Sequence, residues 1–176
     1  MEEKITLVKA KELPAEKVMQ FRQEFLSAGE RSINGSRGLH NYDKYEDWLW
    51  LVTECEKPDN TLIGVRTSTY LAVRKNDDAV VGCIELRHTL NDSLAVIGGH
   101  IGYSVVPQER NKGYATIMLK LILKEAKNIG LEKVLLTCDT DNVASCKTIE
   151  KCGGTLEQKE VFYYNEEPYF KYWIEI

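Results

Sequence analysis

His100-Ile101-Gly102-Tyr103-Ser104-Val105-Val106-Pro107-Gln108-Glu109-Arg110-Asn111-Lys112-Gly113-Tyr114-Ala115-Thr116 reads as a strand, a proline stop, a polar turn and a glycine that opens a long amphipathic helix. That layout makes a backbone anion cradle. The first N–H groups of a helix have no partner inside it, the helix dipole adds positive potential there, and glycine lets a phosphate come close. The helix expected from Gly113 to Asn128 carries Ile117, Met118, Leu121, Ile122 and Ala126 on one side. Gly130 suits the position just past its end.

Working outward, Ile5 to Lys9 alternates weakly and is expected to be a short first strand. Pro14 opens a helical stretch, Ala15 to Ala28, with Val18, Met19, Phe21, Phe25 and Leu26 near helical spacing. Glu30 to Tyr42 carries Gly35 and Gly38 and reads as a loop. Asp43 to Cys55 reads as a second helix, and Pro58-Asp59-Asn60 as a turn. Thr69 to Arg74, Ala79 to His88 and Gly99 to Val106 form a meander, with a turn at Thr89 to Ser93. After the long helix come a buried strand, Lys133 to Cys138, and a short helix, Asn142 to Lys151. Two last strands follow, around Thr155 to Tyr164 and Tyr169 to Ile176. The β-α-β step from Val105 to Cys138 implies parallel pairing there within an otherwise antiparallel sheet.

The chain has 176 residues, 43% hydrophobic and 28% charged, which suits one globular domain spanning 1–176. Net charge is -4 and no long basic run is present, so neither nucleic acid nor an anionic membrane is expected as a partner. No apolar run approaches the ~20 residues of a membrane span. The charged start, Met1-Glu2-Glu3-Lys4, is followed by no apolar core, so no signal peptide is expected. Cys55, Cys83, Cys138, Cys146 and Cys152 form no Cys-x-x-Cys and read as reduced thiols of a cytoplasmic protein. No metal is expected. His40, His88 and His100 lack zinc spacing, and Asp139-x-Asp141 fails as a calcium loop because Val143 and Ala144 stand where a ligand and a glycine are needed.

The motif Arg110-x-x-Gly113-x-Ala115 and the order of elements resemble the GNAT superfamily of N-acetyltransferases. The resemblance spans essentially the whole chain. It implies an α/β fold of the GNAT (acyl-CoA N-acyltransferase) type, a mixed, mostly antiparallel central sheet with flanking helices. It implies acetyl-CoA as cosubstrate. Tyr103, Ser104 and Val105 would hold the pantetheine arm, and Asn111, Lys112, Gly113, Tyr114, Ala115 and Thr116 the pyrophosphate, with Arg110 and Lys112 also able to meet phosphates. Asn142 is a good helix N-cap, and in this family an asparagine here also contacts the cofactor arm. The chain departs from the family at two places. The tyrosine often found seven residues after this asparagine is Ile149, and the glutamate five residues before it is Thr137.

Acyl transfer to an amine sets its own demands. Free alkyl amines have a pKa near ~10, so a base must remove a proton. The oxyanion needs a backbone N–H, for which the strand end at Val105 and Val106 is the candidate. Strand parity puts Glu85 on one face with Val81 and Cys83, which makes it a base or half of an ion pair with Arg87 or a neighbouring strand. His100, at the head of the cofactor strand, is the second base candidate. The thiolate needs an acid or solvent, and Tyr164 is chosen from the late tyrosines. Glu30, Asn34, Asn41 and Asp43 could read a cationic or polar acceptor.

The expected function is transfer of an acetyl group from acetyl-CoA to a primary amine, on a small molecule or a peptide, by direct attack in a ternary complex. The alternative is an acyl-CoA-binding sensor that has lost catalysis. Phe162, Tyr163, Tyr169 and Tyr172 look exposed and could form a homodimer seam.

Overall fold

The computed structural model describes residues 4–59, 64–157 and 161–176. Within them the chain runs β1 (Ile5–Lys9), α1 (Ala15–Ser27), α2 (Tyr45–Glu56), β2 (Thr67–Arg74), β3 (Val80–Arg87) and α3 (Asp92–Val96). It continues through β4 (Ile101–Val105), α4 (Tyr114–Asn128), β5 (Lys133–Asp139) and α5 (Val143–Lys151), and ends with β6 (Thr155–Leu156), β7 (Phe162–Tyr164) and β8 (Glu167–Glu175). The GNAT-type order expected from the sequence is present. The turn expected at Thr89 to Ser93 instead leads into α3, whose N-cap Asn91 accepts a hydrogen bond from the Leu94 N–H. The turn expected at Pro58-Asp59-Asn60 and the long strand from Thr155 to Tyr164 fall partly outside the described residues. Within them, that last stretch holds two separate short strands, β6 and β7.

The strands form two antiparallel sheets, β1-β2-β3-β4 and β5-β8-β6, with β7 on β8. The parallel ladder expected between β4 and β5 does not extend along them. The sheets meet at one point, where the His100 N–H donates to the Leu135 carbonyl at 2.7 Å. Beyond it β4 and β5 part.

Alternation along β3 gives each face its own core. Ile84 and Leu86 pack with Met118, Leu119 and Ile122 of α4 and with Val134 and Ile174 of the second sheet. Cys83 packs with Phe21, Phe25 and Trp48 of α1 and α2. The helices are therefore amphipathic for a visible reason, since each lays an apolar side against one sheet face. Of the four aromatics expected at a dimer seam, Tyr169 and Tyr172 are buried in the core and only Tyr163 is largely exposed. No helix among the described residues is long and apolar enough to cross a membrane.

The arm between α1 and α2 lies directly on β4. Gly35 has φ +77°, and a Cβ placed there would sit 2.2 Å from the Gly102 carbonyl oxygen and 2.8 Å from the Tyr103 Cα. Both obstacles are backbone and cannot swing aside. Ser36 is fully buried, and the Trp48 indole N–H donates to its carbonyl at 2.7 Å, which fastens the arm to α2. Gly35→Ala is expected to cost roughly 2 kcal/mol or more, from strain and from displacing the arm. Gly29→Ala, at similar φ but with nothing within 4 Å, is expected to cost about 1 kcal/mol. Denaturant unfolding of the two variants checks the difference.

Candidate active site

Where β4 and β5 part, the edge of β4 has no strand beside it. Register decides which groups face the gap. The Arg87 N–H bonds the His100 carbonyl and the Val106 N–H bonds the Val81 carbonyl at 3.0 Å. In an antiparallel ladder these bonded pairs alternate, so Gly102, Ser104 and Val106 spend their backbone groups on β3. Tyr103 and Val105 point theirs away, toward the gap. Val106, expected as an oxyanion donor alongside Val105, is thereby ruled out. The Val105 carbonyl is already engaged by Arg110 Nε at 3.1 Å.

The gap opens into a cavity of about 1080 Å³ that runs from the start of α4 to the arm. At one end lie Asn111, Gly113, Tyr114, Ala115 and Thr116. Asn111 (φ +62°) and Gly113 (φ +85°) turn the chain through the left-handed region into α4. Helix geometry leaves the N–H groups of Tyr114, Ala115 and Thr116 without a carbonyl in the helix; the Ile117 N–H is the first to find one, at Gly113. Tyr103, Ser104, Val105, Arg110 and Asn142 also line the cavity. Lys112 is not among the lining residues. It bonds Glu109 at 2.9 Å, and Glu109 in turn pairs with Arg74 at 2.9 Å, so the turn is braced from behind. Asn142 caps α5 by accepting from the Ser145 N–H at 3.1 Å.

The middle of the cavity shows a residue that the sequence did not flag. Ser145 shares a hydrogen bond of 2.8 Å with the Tyr103 hydroxyl, linking β4 to α5 across the gap. Burial pushes the Tyr103 phenol up to about 12. Ile149 is fully buried in the core, and Thr137 accepts a hydrogen bond from the Gly98 N–H at 2.9 Å. Neither replaces the side chain that the family often carries there.

The far end is built from the arm and β3. Glu85 is 4% exposed and faces two guanidinium groups. Arg87 hydrogen-bonds its Oε1, and Arg37 Nη2 lies 3.1 Å from Oε2. The Arg37 approach is not aligned as a hydrogen bond, so Oε2 has no such partner among the described residues. Of the two readings of Glu85, the ion pair is therefore present, and its second partner comes from the arm. Arg37 was missed because no periodicity marks a loop residue. Glu30 and Asn34 line the cavity, whereas Asn41 does not and Asp43 pairs with Arg22 at 2.9 Å.

His100 and Tyr164 are not brought to this site. His100 is buried, and its Nδ1 accepts the Leu135 N–H at 2.9 Å. That bond requires an unprotonated Nδ1. Burial, reinforced by the Arg87 charge, lowers the imidazole to about 4. The ring pins the point where the sheets meet, and it does not line the cavity. Tyr164 stands half-exposed on the β7 hairpin and does not line the cavity either. Among the described residues no cluster of His, Cys, Asp or Glu could hold a metal ion.

The chain matches the family model for the acetyltransferase (GNAT) domain over residues 12–155. It is 35% identical over 92 residues to streptothricin acetyltransferase from Escherichia coli, a match covering 52% of this chain and 51% of that protein. The chain thus aligns with about half the length of that curated relative. Among solved structures, a GNAT-family acetyltransferase from Bacillus anthracis has a TM-score of 0.68 at 18% identity, covering 98% of this chain and 95% of that one. Ribosomal-protein-S5-alanine acetyltransferase from Vibrio fischeri has a TM-score of 0.68 at 17% identity, covering 97% and 91%. A variant of spermidine N-acetyltransferase from Vibrio cholerae has 0.62 at 13% identity, covering 97% and 94%. At these identities the structures show a shared fold.

The depressed histidine makes a stability prediction. The unfolded chain binds a proton at His100 near pH 6.5, while the folded chain resists until about 4. The stabilisation is complete above 6.5 and is lost as pH falls toward 4, by about 3 kcal/mol. Unfolding free energies measured between pH 7 and pH 4 are expected to fall by that amount more in the wild type than in His100→Gln.

Proposed function

Because the chain belongs to the GNAT acetyltransferase family, we propose that it is an acetyl-CoA-dependent N-acetyltransferase, one domain over 1–176, acting on a primary amine. The observation that supports this best is the single cavity joining three parts. An anion cradle lies at α4, an unpaired strand edge at Tyr103 and Val105, and an arm-lined pocket at Glu85. A cosubstrate with a pyrophosphate, an amide-bearing arm and a reactive end needs those three in that order. The five free thiols suit the reducing cytoplasm. A homodimer through the β7 hairpin, where Tyr163 and Tyr164 are exposed, belongs to the same reading.

In the reaction we infer, the pyrophosphate rests on the N–H groups at Gly113 to Thr116, with Arg110, Asn111 and Asn142 beside it. The pantetheine arm pairs with the Tyr103 carbonyl and the Val105 N–H as a further strand would. The amine attacks the thioester directly, and its proton leaves through water toward Glu85, whose buried Oε2 has no hydrogen-bond partner among the described residues. The Tyr103 N–H, at the part of the strand edge nearest Glu85, is left for the forming oxyanion, because the Val105 N–H expected for it is spent on the arm. His100 and Tyr164 are given no proton to carry. The thiolate is met by the Tyr103 hydroxyl, supported by Ser145. A free thiol has a pKa near ~8.5, well below this phenol, so Tyr103 keeps its proton and stabilises the sulfur by a hydrogen bond.

Acetyl-CoA offered with polyamines, amino acids, aminoglycosides and peptides, with thiol release followed, tests the reading. Turnover on at least one amine is expected. Glu85→Gln is expected to lower kcat about a hundredfold while KM for acetyl-CoA stays within about twofold. Tight CoA binding without turnover, unaffected by that substitution, would make the protein a sensor. Absence of CoA binding would overturn the proposal. Tyr103→Phe is expected to lower kcat about tenfold, with no ionisation attributable to Tyr103 in the pH–rate profile below about pH 10.

A further inference from the structure

The charges at the arm end of the cavity do not balance. Two guanidinium groups, Arg37 and Arg87, face one carboxylate, Glu85, while Glu30 of the arm is paired with Arg110 of the cofactor turn. Both carboxylates are engaged. Arg110 Nη2 lies 2.6 Å from Glu30 Oε1, and Glu85 sits between Arg37 and Arg87. Arg87 is also engaged, donating from Nη1 to the Gly98 and Gly99 carbonyls at 3.0 and 2.9 Å. Arg37 is the least satisfied of the three. Its Nη2 meets Thr67 Oγ1 at 3.1 Å besides Glu85, and its Nε is buried without a hydrogen-bond partner. The third titratable group of the arm here, His40, accepts the Ile33 N–H at its Nδ1 and adds no negative charge.

A polycationic acceptor would therefore find no uncommitted carboxylate at this end among the described residues, and it would meet an excess of positive charge. Like charges brought together in the pocket repel, and this discriminates between acceptors before any chemistry begins. An acceptor that carries an anionic group beside its amine meets the opposite situation. Its oxygens can meet the part of the Arg37 guanidinium that lines the cavity, and charge-assisted bonds from arginine are among the stronger and more directional in proteins.

Resting on the acetyltransferase reading above, we propose that the acceptor is an amine bearing a carboxylate, of the amino-acid type, and that Arg37 holds that carboxylate. The placement is economical. Arg37 and Glu85 adjoin each other, so one ligand can offer its carboxylate to the first and its amine, through water, to the second. Glu85 also lies opposite Gly102 on β4, one residue before the open edge at Tyr103 where the thioester would lie. The arm that carries Arg37 is held on that same backbone by Gly35.

The test uses pairs of amines that differ only in the anionic group, such as glycine with glycinamide and aspartate with its diamide, with spermidine as the polycation. Binding to the CoA-loaded protein is measured by calorimetry, and turnover separately by thiol release. Each carboxylate is expected to bind about tenfold more tightly than its amide, and spermidine more weakly than either. Arg37→Gln is expected to remove that preference while leaving KM for acetyl-CoA unchanged, and Arg37→Lys to restore part of it. Amides or spermidine binding as well as the carboxylates, or a preference that survives in Arg37→Gln, would overturn the proposal. The binding readout keeps it separate from the catalytic reading. A carboxylate preference without turnover would support this pocket and overturn only the transferase assignment.

Discussion

The contact between His100 and Leu135 is the constraint on which the site depends. The backbone of His100 donates to Leu135, and the side chain of His100 accepts from the same residue. These two bonds join β4 to β5 at one place and allow them to separate beyond it. A separated strand edge is expensive, because backbone N–H and C=O groups removed from water need partners. The protein satisfies the edge in part: Arg110 takes the Val105 carbonyl and Thr137 takes the Gly98 N–H. The remaining groups at Tyr103 and Val105 are what a cosubstrate arm can use. A hinge at this point would blur that register, and Arg87 prevents one by holding the Gly98 and Gly99 carbonyls.

The rest of the cavity is rigid for related reasons. The turn before α4 is fixed from behind by the Arg74, Glu109 and Lys112 chain. On the opposite wall the arm meets the β4 backbone at a distance only glycine allows. Anion cradle, strand edge and acceptor pocket are thus set against one short strand. Preorganised donors cost no reorganisation during reaction, so a site assembled on a strand gains more than one assembled on free loops. The ion pair between Glu30 and Arg110 adds a tie between the two ends, from the arm to the cofactor turn.

Much of this was legible in the sequence, for local reasons. Helix caps, proline stops and alternating strands are written in neighbouring residues, so the element order, the long helix after Gly113 and the cap at Asn142 could be read directly. Glu85 was found by strand parity with Cys83, whereas Val81, expected on the same face, packs in the other core because the register shifts between Gly82 and Val80. What could not be read was pairing at a distance. Arg37 meets Glu85 across 48 positions of chain, and Ser145 meets Tyr103 across 42. His100 illustrates the same limit. Its ordinary pKa made it a natural base, but only its neighbours show that Nδ1 is committed to the Leu135 N–H. Lys112 looked free to meet a phosphate because the distant Arg74 that orients Glu109 toward it carries no local mark. Tyr164 was chosen for its chemistry, and its hairpin carries it away from the cavity.

The buried cluster of Glu85, Arg37 and Arg87 raises a question that stability alone does not answer. Burying charges is costly, and well-packed apolar residues of similar size often hold a fold as well or better. Such a cluster is better explained by what it arranges. Arg87 holds the bend at Gly98 and Gly99, Arg37 belongs to the arm, and Glu85 is the anion that both require. Removing Glu85 would leave two guanidinium groups facing each other. The carboxylate therefore sets the position of the arm relative to the open edge of β4 as well as facing the amine. Its two roles have separate signatures: charge loss at this position loosens the arm, while proton transfer depends on the one oxygen that the arginines leave without a hydrogen bond.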